Sequence, residues 1–202
     1  MSELDIVRSF YGANIESTGP SFPALGWFTP ETQRLRFEVF TLLGDFSDSQ
    51  ILDAGCGLGD CFCFLTEKKY QGLRYDGVDV MPEFIAEAQN RFKAYPDAHF
   101  QQQHWDQWLT PVDWVLCSGS LNLKQVDPYA YAKKQLSHFL KLARKGVAVN
   151  FLSGQHRLDQ QDEIFYYYDP VKLCELAFTL TPHVALHHDY LPNDVTLLLY
   201  PA

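Results

Sequence analysis

The sequence predicts an α/β fold built on a mostly parallel sheet. Three observations carry that prediction. From residue 50 onward, short apolar runs alternate with stretches whose apolar residues repeat at helical spacing, the signature of βαβ units. The first apolar run ends in three alternate glycines that lead into a helix. The chain closes on two strand-like runs joined by Pro192-Asn193-Asp194, a connection short enough only for an antiparallel pair.

Residues 1–28 hold Gly12, Gly19, Pro20, Pro23 and Gly26 among Phe10, Tyr11, Phe22, Trp27 and Phe28. Gly and Pro interrupt regular structure while aromatic rings seek burial, so an irregular arm packed on the body is expected. A helix is predicted from Thr29, a good N-cap, with Pro30 at the first helical position. Its predicted core stripe is Leu35, Val39 and Leu42. Strands follow at 50–54, 74–80, 98–103, 112–117 and 146–152. Helices are predicted at 58–70, 82–94 and 128–143, and a last one at 171–180. Of the terminal pair, 183–191 alternates in polarity and reads as an edge strand. Val195-Thr196-Leu197-Leu198-Leu199-Tyr200 is nearly continuous apolar chain and reads as a strand covered on both faces.

At 202 residues the chain is one domain by length, large enough to bury a core without disulfides or metal. The formal net charge is −9, which repels phosphate backbones, so nucleic acid is not an expected partner. No apolar run is long enough to cross a membrane. The opening MSELDIVRSFYGAN has no basic stretch leading into an apolar one, and an odd count of five cysteines suits reduced thiols, so a cytoplasmic protein is expected. Cys61 and Cys63 are two apart, and on a helix they point to opposite sides, so no metal site is expected.

Asp53-Ala54-Gly55-Cys56-Gly57-Leu58-Gly59 is the centre of the functional argument. Glycine permits a sharp turn and close approach of a ligand to the backbone. In open α/β sheets, ligands bind at the carboxyl ends of the strands. Asp79 ends the second strand, where a carboxylate can accept from two ribose hydroxyls or, more plainly, cap the helix beginning near Pro82. Asp106 follows the third strand; it is either a turn residue or an acceptor for the exocyclic amine of adenine.

With these residues in place the chain resembles the class I S-adenosylmethionine-dependent methyltransferases over about residues 50–200. The resemblance implies a Rossmann-like seven-stranded sheet in the order 3-2-1-4-5-7-6, last strand antiparallel, with helices on both faces. It implies S-adenosylmethionine as cofactor, with Asp53, Gly55, Cys56, Gly57 and Gly59 around its methionine part and Asp79 on the ribose. Val80 and Met81 would flank adenine, Asp106 and Gln107 its polar edge, and Cys117 and Ser118 the amino group and sulfonium. Arg36, in an Arg-Phe pair common in similar methyltransferases, would hold the cofactor's carboxylate, although an ordinary surface arginine fits the sequence equally. A nicotinamide enzyme is the rival; the GxGxG spacing and the terminal hairpin disfavour it.

Methyl transfer from a sulfonium chiefly requires alignment of the acceptor, with a base needed only if the acceptor must lose a proton. Candidates for that part of the site are Tyr11, His156 and Tyr166, from the arm and the long segment after the fifth strand. Residues 1–48 are accordingly expected to form a lid and 49–202 the cofactor-binding core. The expected acceptor is a small molecule, since no appended domain is present to read a polymer. A protein or peptide methyltransferase and a non-catalytic cofactor-binding protein are the alternatives.

Overall fold

A computed structural model describes residues 3–26, 29–155 and 163–202. Seven strands form a single sheet in the order β3-β2-β1-β4-β5-β7-β6: β1 (Gln50–Ala54), β2 (Arg74–Asp79), β3 (Ala98–Gln102), β4 (Val112–Ser118), β5 (Ala143–Leu152), β6 (His183–His187) and β7 (Asp194–Tyr200). Neighbours among β1–β5 pair in parallel. β7 runs antiparallel to both β5 and β6, with Val149 opposite Leu197 and Leu186 opposite the same residue on the other side. This is the predicted order, including the edge position of β6 and the interior position of β7.

Both faces of the sheet are covered, which is why the central strands read as unbroken apolar runs. On one face Leu52, Val115, Val147, Val149, Leu197 and Leu199 meet Leu136 and Phe139 of α5 (Pro128–Leu142) and Leu173 and Ala177 of α6 (Pro170–Phe178). On the other face Ile51, Leu116, Ala148 and Leu198 meet three helices. These are α2 (Pro30–Phe40), α3 (Asp60–Lys68) and α4 (Pro82–Arg91), through Phe37, Phe40, Phe62, Phe64, Ile85 and Ala88. The two sets of core residues alternate along each strand, as successive side chains point to opposite faces.

Three expectations are corrected. The stretch read as an irregular arm contains α1 (Glu3–Thr18), a 16-residue helix, followed by a short 3-10 turn at Phe22–Leu25. Gly12 sits inside α1 with nothing within 4 Å of where a Cβ would stand, so its cost is only the roughly 1 kcal/mol of glycine in a helix interior. Leu4, Val7, Tyr11 and Ile15 form the packed stripe, set against Val80, Met81, Phe84 and Leu58. Second, α2 begins as predicted, with Thr29 Oγ1 accepting from Thr32 N, but its face is rotated. Leu35 and Leu42 are exposed, while Gln33, Arg36, Phe37, Val39 and Phe40 are buried. The ring of Phe37 and the guanidinium of Arg36 take the inner positions because both have partners there. Third, β6 stops at His187, four residues short of the predicted run, whereas β5 starts at Ala143 and so extends the predicted strand toward α5.

Candidate functional site

The carboxyl ends of β1, β2 and β4 converge under α1, and a cavity of about 420 Å³ opens between them. Its floor is the glycine loop. Gly55, Gly57 and Gly59 all hold positive φ, 82°, 52° and 77°, a region costly for residues with a Cβ. The three differ in what surrounds them. A Cβ at Gly55 would lie 2.0 Å from Ser120 Oγ, and one at Gly57 2.8 Å from Leu25 Cδ2; both glycines line the cavity. A Cβ at Gly59 would instead meet Phe92 and Phe100 at 2.7 and 3.0 Å, and Gly59 is absent from the cavity wall. Its role is to let α3 start close against the β2–β3 side of the core.

Asp79 lies on the wall between β2 and α4. Its Oδ2 accepts from Gly57 N at 3.0 Å and its Oδ1 from Met81 N at 2.9 Å. The cap and the cavity-lining position are therefore realised by one side chain, with each carboxylate oxygen keeping further acceptor capacity. Burial raises its pKa, and these backbone hydrogen bonds act in the opposite direction. Asp53, at the end of β1, is buried behind the loop and accepts from the Tyr75 hydroxyl. Burial pushes its pKa up to about 7, with the charges of Asp79 and Asp60 adding and the Tyr75 bond opposing. It lines not the main cavity but a small recess behind it, together with Cys56 and Ser118.

Other predicted residues divide in the same way. Val80, Ser118, Tyr11 and Arg36 line the main cavity. Ser118 Oγ is buried with no hydrogen-bond partner among the described residues. Met81 is buried against α1, and Cys117 is enclosed in the core with its thiol pKa raised by burial, as is that of Cys56. Both are thus inert thiols. Arg36 is engaged by Asp194 through two bonds of 2.8 and 2.6 Å, a buried pair that ties α2 to the start of β7. Asp106 and Gln107 lie outside the cavity wall. The Asp106 carboxylate turns to Lys134 Nζ on α5 at 2.7 Å, and its neighbours His104 and Trp105 take the lining positions. Of the tyrosine run, Tyr166 packs on Tyr129 and Tyr168 and Tyr168 is buried with its hydroxyl on Leu121 O, while Tyr167 lines the cavity. His156, like Trp27 and Phe28, falls outside the described residues.

Lining residues not singled out individually from the sequence are Val7, Phe10 and Asn14 of α1, Leu25 of the 3-10 turn, and Asn122 and Phe165 of the segments after β4 and β5. One signal for α1 was legible. Leu4, Val7, Tyr11 and Ile15 are spaced 3, 4 and 4 apart, a helical stripe that the intervening Gly12 obscured. Nothing local to His104, Asn122 or Phe165 marks them, because their position depends on which loop end the fold turns inward. Tyr11 packs edge-on to Phe84 at 5.8 Å, and burial, with Asp79 nearby, raises its pKa. Among the described residues no group of His, Cys, Asp and Glu is arranged to hold a metal, and no helix is long and apolar enough to cross a membrane.

Residues 52–149 match a family model described as a methyltransferase domain. A curated relative, the candidate methyltransferase Rv1506c of Mycobacterium tuberculosis, is 30% identical over 158 residues, covering 75% of this chain and 93% of its own. Solved structures with the same fold include magnesium protoporphyrin IX methyltransferase from Synechocystis PCC 6803 with bound S-adenosylmethionine, at TM-score 0.65, 18% identity and coverage of 100% and 92%. The CcbJ methyltransferase of Streptomyces caelestis is similar at TM-score 0.70, 13% identity and coverage of 96% and 98%. A DhpI complex with S-adenosylhomocysteine matches at 0.70, 17%, and 98% and 96%. A glycine loop at the end of β1, a carboxylate at the end of β2, an antiparallel β7 and this relatedness together place the chain in the class I S-adenosylmethionine-dependent methyltransferases.

Proposed function

We infer that the protein transfers the methyl group of S-adenosylmethionine to a small molecule held beneath α1. The observation that carries this reading is the roof. α1 and the Phe22–Leu25 turn close over the glycine loop, with Leu25 against Gly57 and Tyr11 beside Phe84. What remains is a cavity of about 420 Å³, the scale of small-ligand pockets, where a peptide acceptor would call for an open groove. The magnesium protoporphyrin IX methyltransferase, whose acceptor is also a small molecule by its name, has the same fold.

The lining fits the cofactor. Gly55 and Gly57 leave no Cβ in the way, and Asp79 has acceptor capacity for ribose hydroxyls. Ser118 Oγ, buried without a partner among the described residues, is a polar atom that a bound polar ligand would satisfy. Val80 from below and His104 and Trp105 from the side flank the adenine. Asp53 acts from behind the loop, by fixing its course, and Arg36 faces the cofactor's carboxylate end with its charge largely engaged by Asp194. The cofactor, when bound, supplies an already activated methyl group. The protein's own work is then to exclude water and to align the acceptor atom in line, about 3 Å from its target. Residues 1–48 serve as the lid in that work.

Incubating the protein with methyl-labelled S-adenosylmethionine and a cell extract tests this. The label is expected in the fraction below about 1 kDa, the size range of pocket ligands. Label confined to protein would favour the peptide reading, and binding of S-adenosylmethionine with no label transferred and no S-adenosylhomocysteine formed would favour a non-catalytic binder.

A further inference from the structure

The lining of the cavity includes Phe10 of α1, Phe165 and Tyr167 of the segment after β5, and Asn122 of the loop after β4, the last two segments being held together by the Leu123–Phe165 bridge and by Tyr166 N donating to Asn122 O. Phe10 and Phe165 meet edge to face at 5.4 Å and 78°, and Phe10 continues edge to face into Tyr11 at 4.9 Å. Gly26 allows that meeting: a Cβ there would stand 3.3 Å from Phe10 Cζ and 3.9 Å from Phe165 Cζ. Aromatic edges and faces thus come together from two segments far apart in sequence, at the seam where α1 meets the rest of the domain.

Asn122 adds a polar direction. Its side chain is buried, and its Oδ1 accepts from Leu152 N at 2.9 Å. That bond settles the orientation of the amide, because a backbone N–H needs an acceptor. The group Asn122 offers in addition is the Nδ2 donor. The only charged side chains on the described part of the cavity wall are Arg36 and Asp79, and Arg36 is neutralised by Asp194.

We propose that the acceptor is an uncharged aromatic molecule, its ring seated among Phe10, Phe165 and Tyr167 and a lone-pair-bearing oxygen or nitrogen substituent directed at Asn122 Nδ2. A ring in this seat makes the offset and edge contacts that aromatic pairs favour over equal area of saturated hydrocarbon. The substituent satisfies an amide that would otherwise be desolvated with a donor unused. The same hydrogen bond fixes which atom of the acceptor lies nearest the loop after β4, beside Ser118. This proposal rests on the small-molecule reading above and narrows it.

The test uses calorimetric titration of the full chain preloaded with S-adenosylhomocysteine. The probes are 2-naphthol, naphthalene and decahydro-2-naphthol. The expected order is 2-naphthol tightest, with the saturated alcohol weaker by about fivefold or more, the range of one to two aromatic pair contacts. Phe165→Leu should erase the preference for the aromatic alcohol over the saturated one, and Phe10→Leu should do so independently if the first variant folds poorly. Asn122→Ala should bring 2-naphthol down to the affinity of naphthalene. Equal binding of the aromatic and saturated alcohols, a preference that survives both ring substitutions, or no binding of any probe to the loaded protein would overturn the proposal. Failure of S-adenosylhomocysteine itself to bind would be a separate result, striking at the cofactor site and not at the aromatic seat.

Discussion

Asp79 carries more than one duty at the residue scale. It orders the loop through Gly57 N and Met81 N, and it borders the cavity. Replacing it with alanine removes acceptors for both backbone donors and for the ribose hydroxyls. At about 1.5–3 kcal/mol for a hydrogen bond to a charged group, the affinity for S-adenosylhomocysteine should fall roughly tenfold or more. Isothermal titration of wild type and Asp79→Ala reads this directly, and an unchanged Kd would remove Asp79 from the site. Asp53 predicts a pH effect. Its folded pKa is raised to about 7, above the unfolded value near 3.9, so the fold favours its neutral form. That stabilisation is complete below the unfolded pKa and is lost as pH rises through the folded one. Between pH 4 and 8 the loss is on the order of a few kcal/mol. Asp53→Asn, which can still accept from Tyr75, should be flatter over that window. Urea midpoints at pH 5 and pH 8 compare the two; parallel pH dependences would show that Asp53 is ionised throughout.

At the scale of elements, α1 and α2 each tie the cavity to the body in a different way. The apolar cluster of α1 is separate from the two clusters that cover the sheet. Deleting residues 1–20 should therefore leave a domain that unfolds cooperatively but no longer transfers methyl groups, because alignment and water exclusion fail. Circular dichroism melting with a labelled-methyl assay checks both halves; loss of the cooperative transition would make α1 part of the core. α2 is held by the Arg36–Asp194 pair, whose side chains are 6% and 1% exposed. Arg36→Met leaves Asp194 buried without its partner, which costs about 3–5 kcal/mol in such cases. The variant should show a clearly lower urea midpoint, and an Arg36→Met protein as stable as wild type would show the pair to be dispensable. Legibility also differs by element. The central strands β4, β5 and β7 were readable because burial on both faces writes runs of Val and Leu. The inner face of α2 was not, because the positions it buries include Gln33 and Arg36, whose polar groups meet residues distant in sequence, among them Asp60 and Asp194. α1 was hidden by Gly12, although its stripe was present.

For the molecule as a whole, the sheet order and the cofactor end of the site follow from local signals: glycines at a strand end, an acid at the next, a short terminal hairpin. The proposed acceptor end does not, since Phe10 of α1 meets Phe165 of the segment after β5 only once the sheet has brought elements distant in sequence together. In the same way Asp106 sits between Lys134 and His104, and Gly59, inside the motif, lies against Phe92 and Phe100. Fold and cofactor class are thus properties of the family framework, and, on the proposal above, acceptor choice lies in α1 and the segment after β5.

A crystal structure of the protein with S-adenosylhomocysteine tests the central claim most directly, namely that one roofed cavity holds the cofactor at the glycine loop and the acceptor beneath α1. The account predicts the ribose hydroxyls within hydrogen-bond distance of Asp79. It predicts the homocysteine part along Gly55 and Gly57, the adenine beside Val80 and Trp105, and the sulfur facing the space between Phe10, Phe165 and Asn122. A sulfur facing bulk solvent, or a cofactor lying away from the glycine loop with α1 unchanged over an empty cavity, would contradict it.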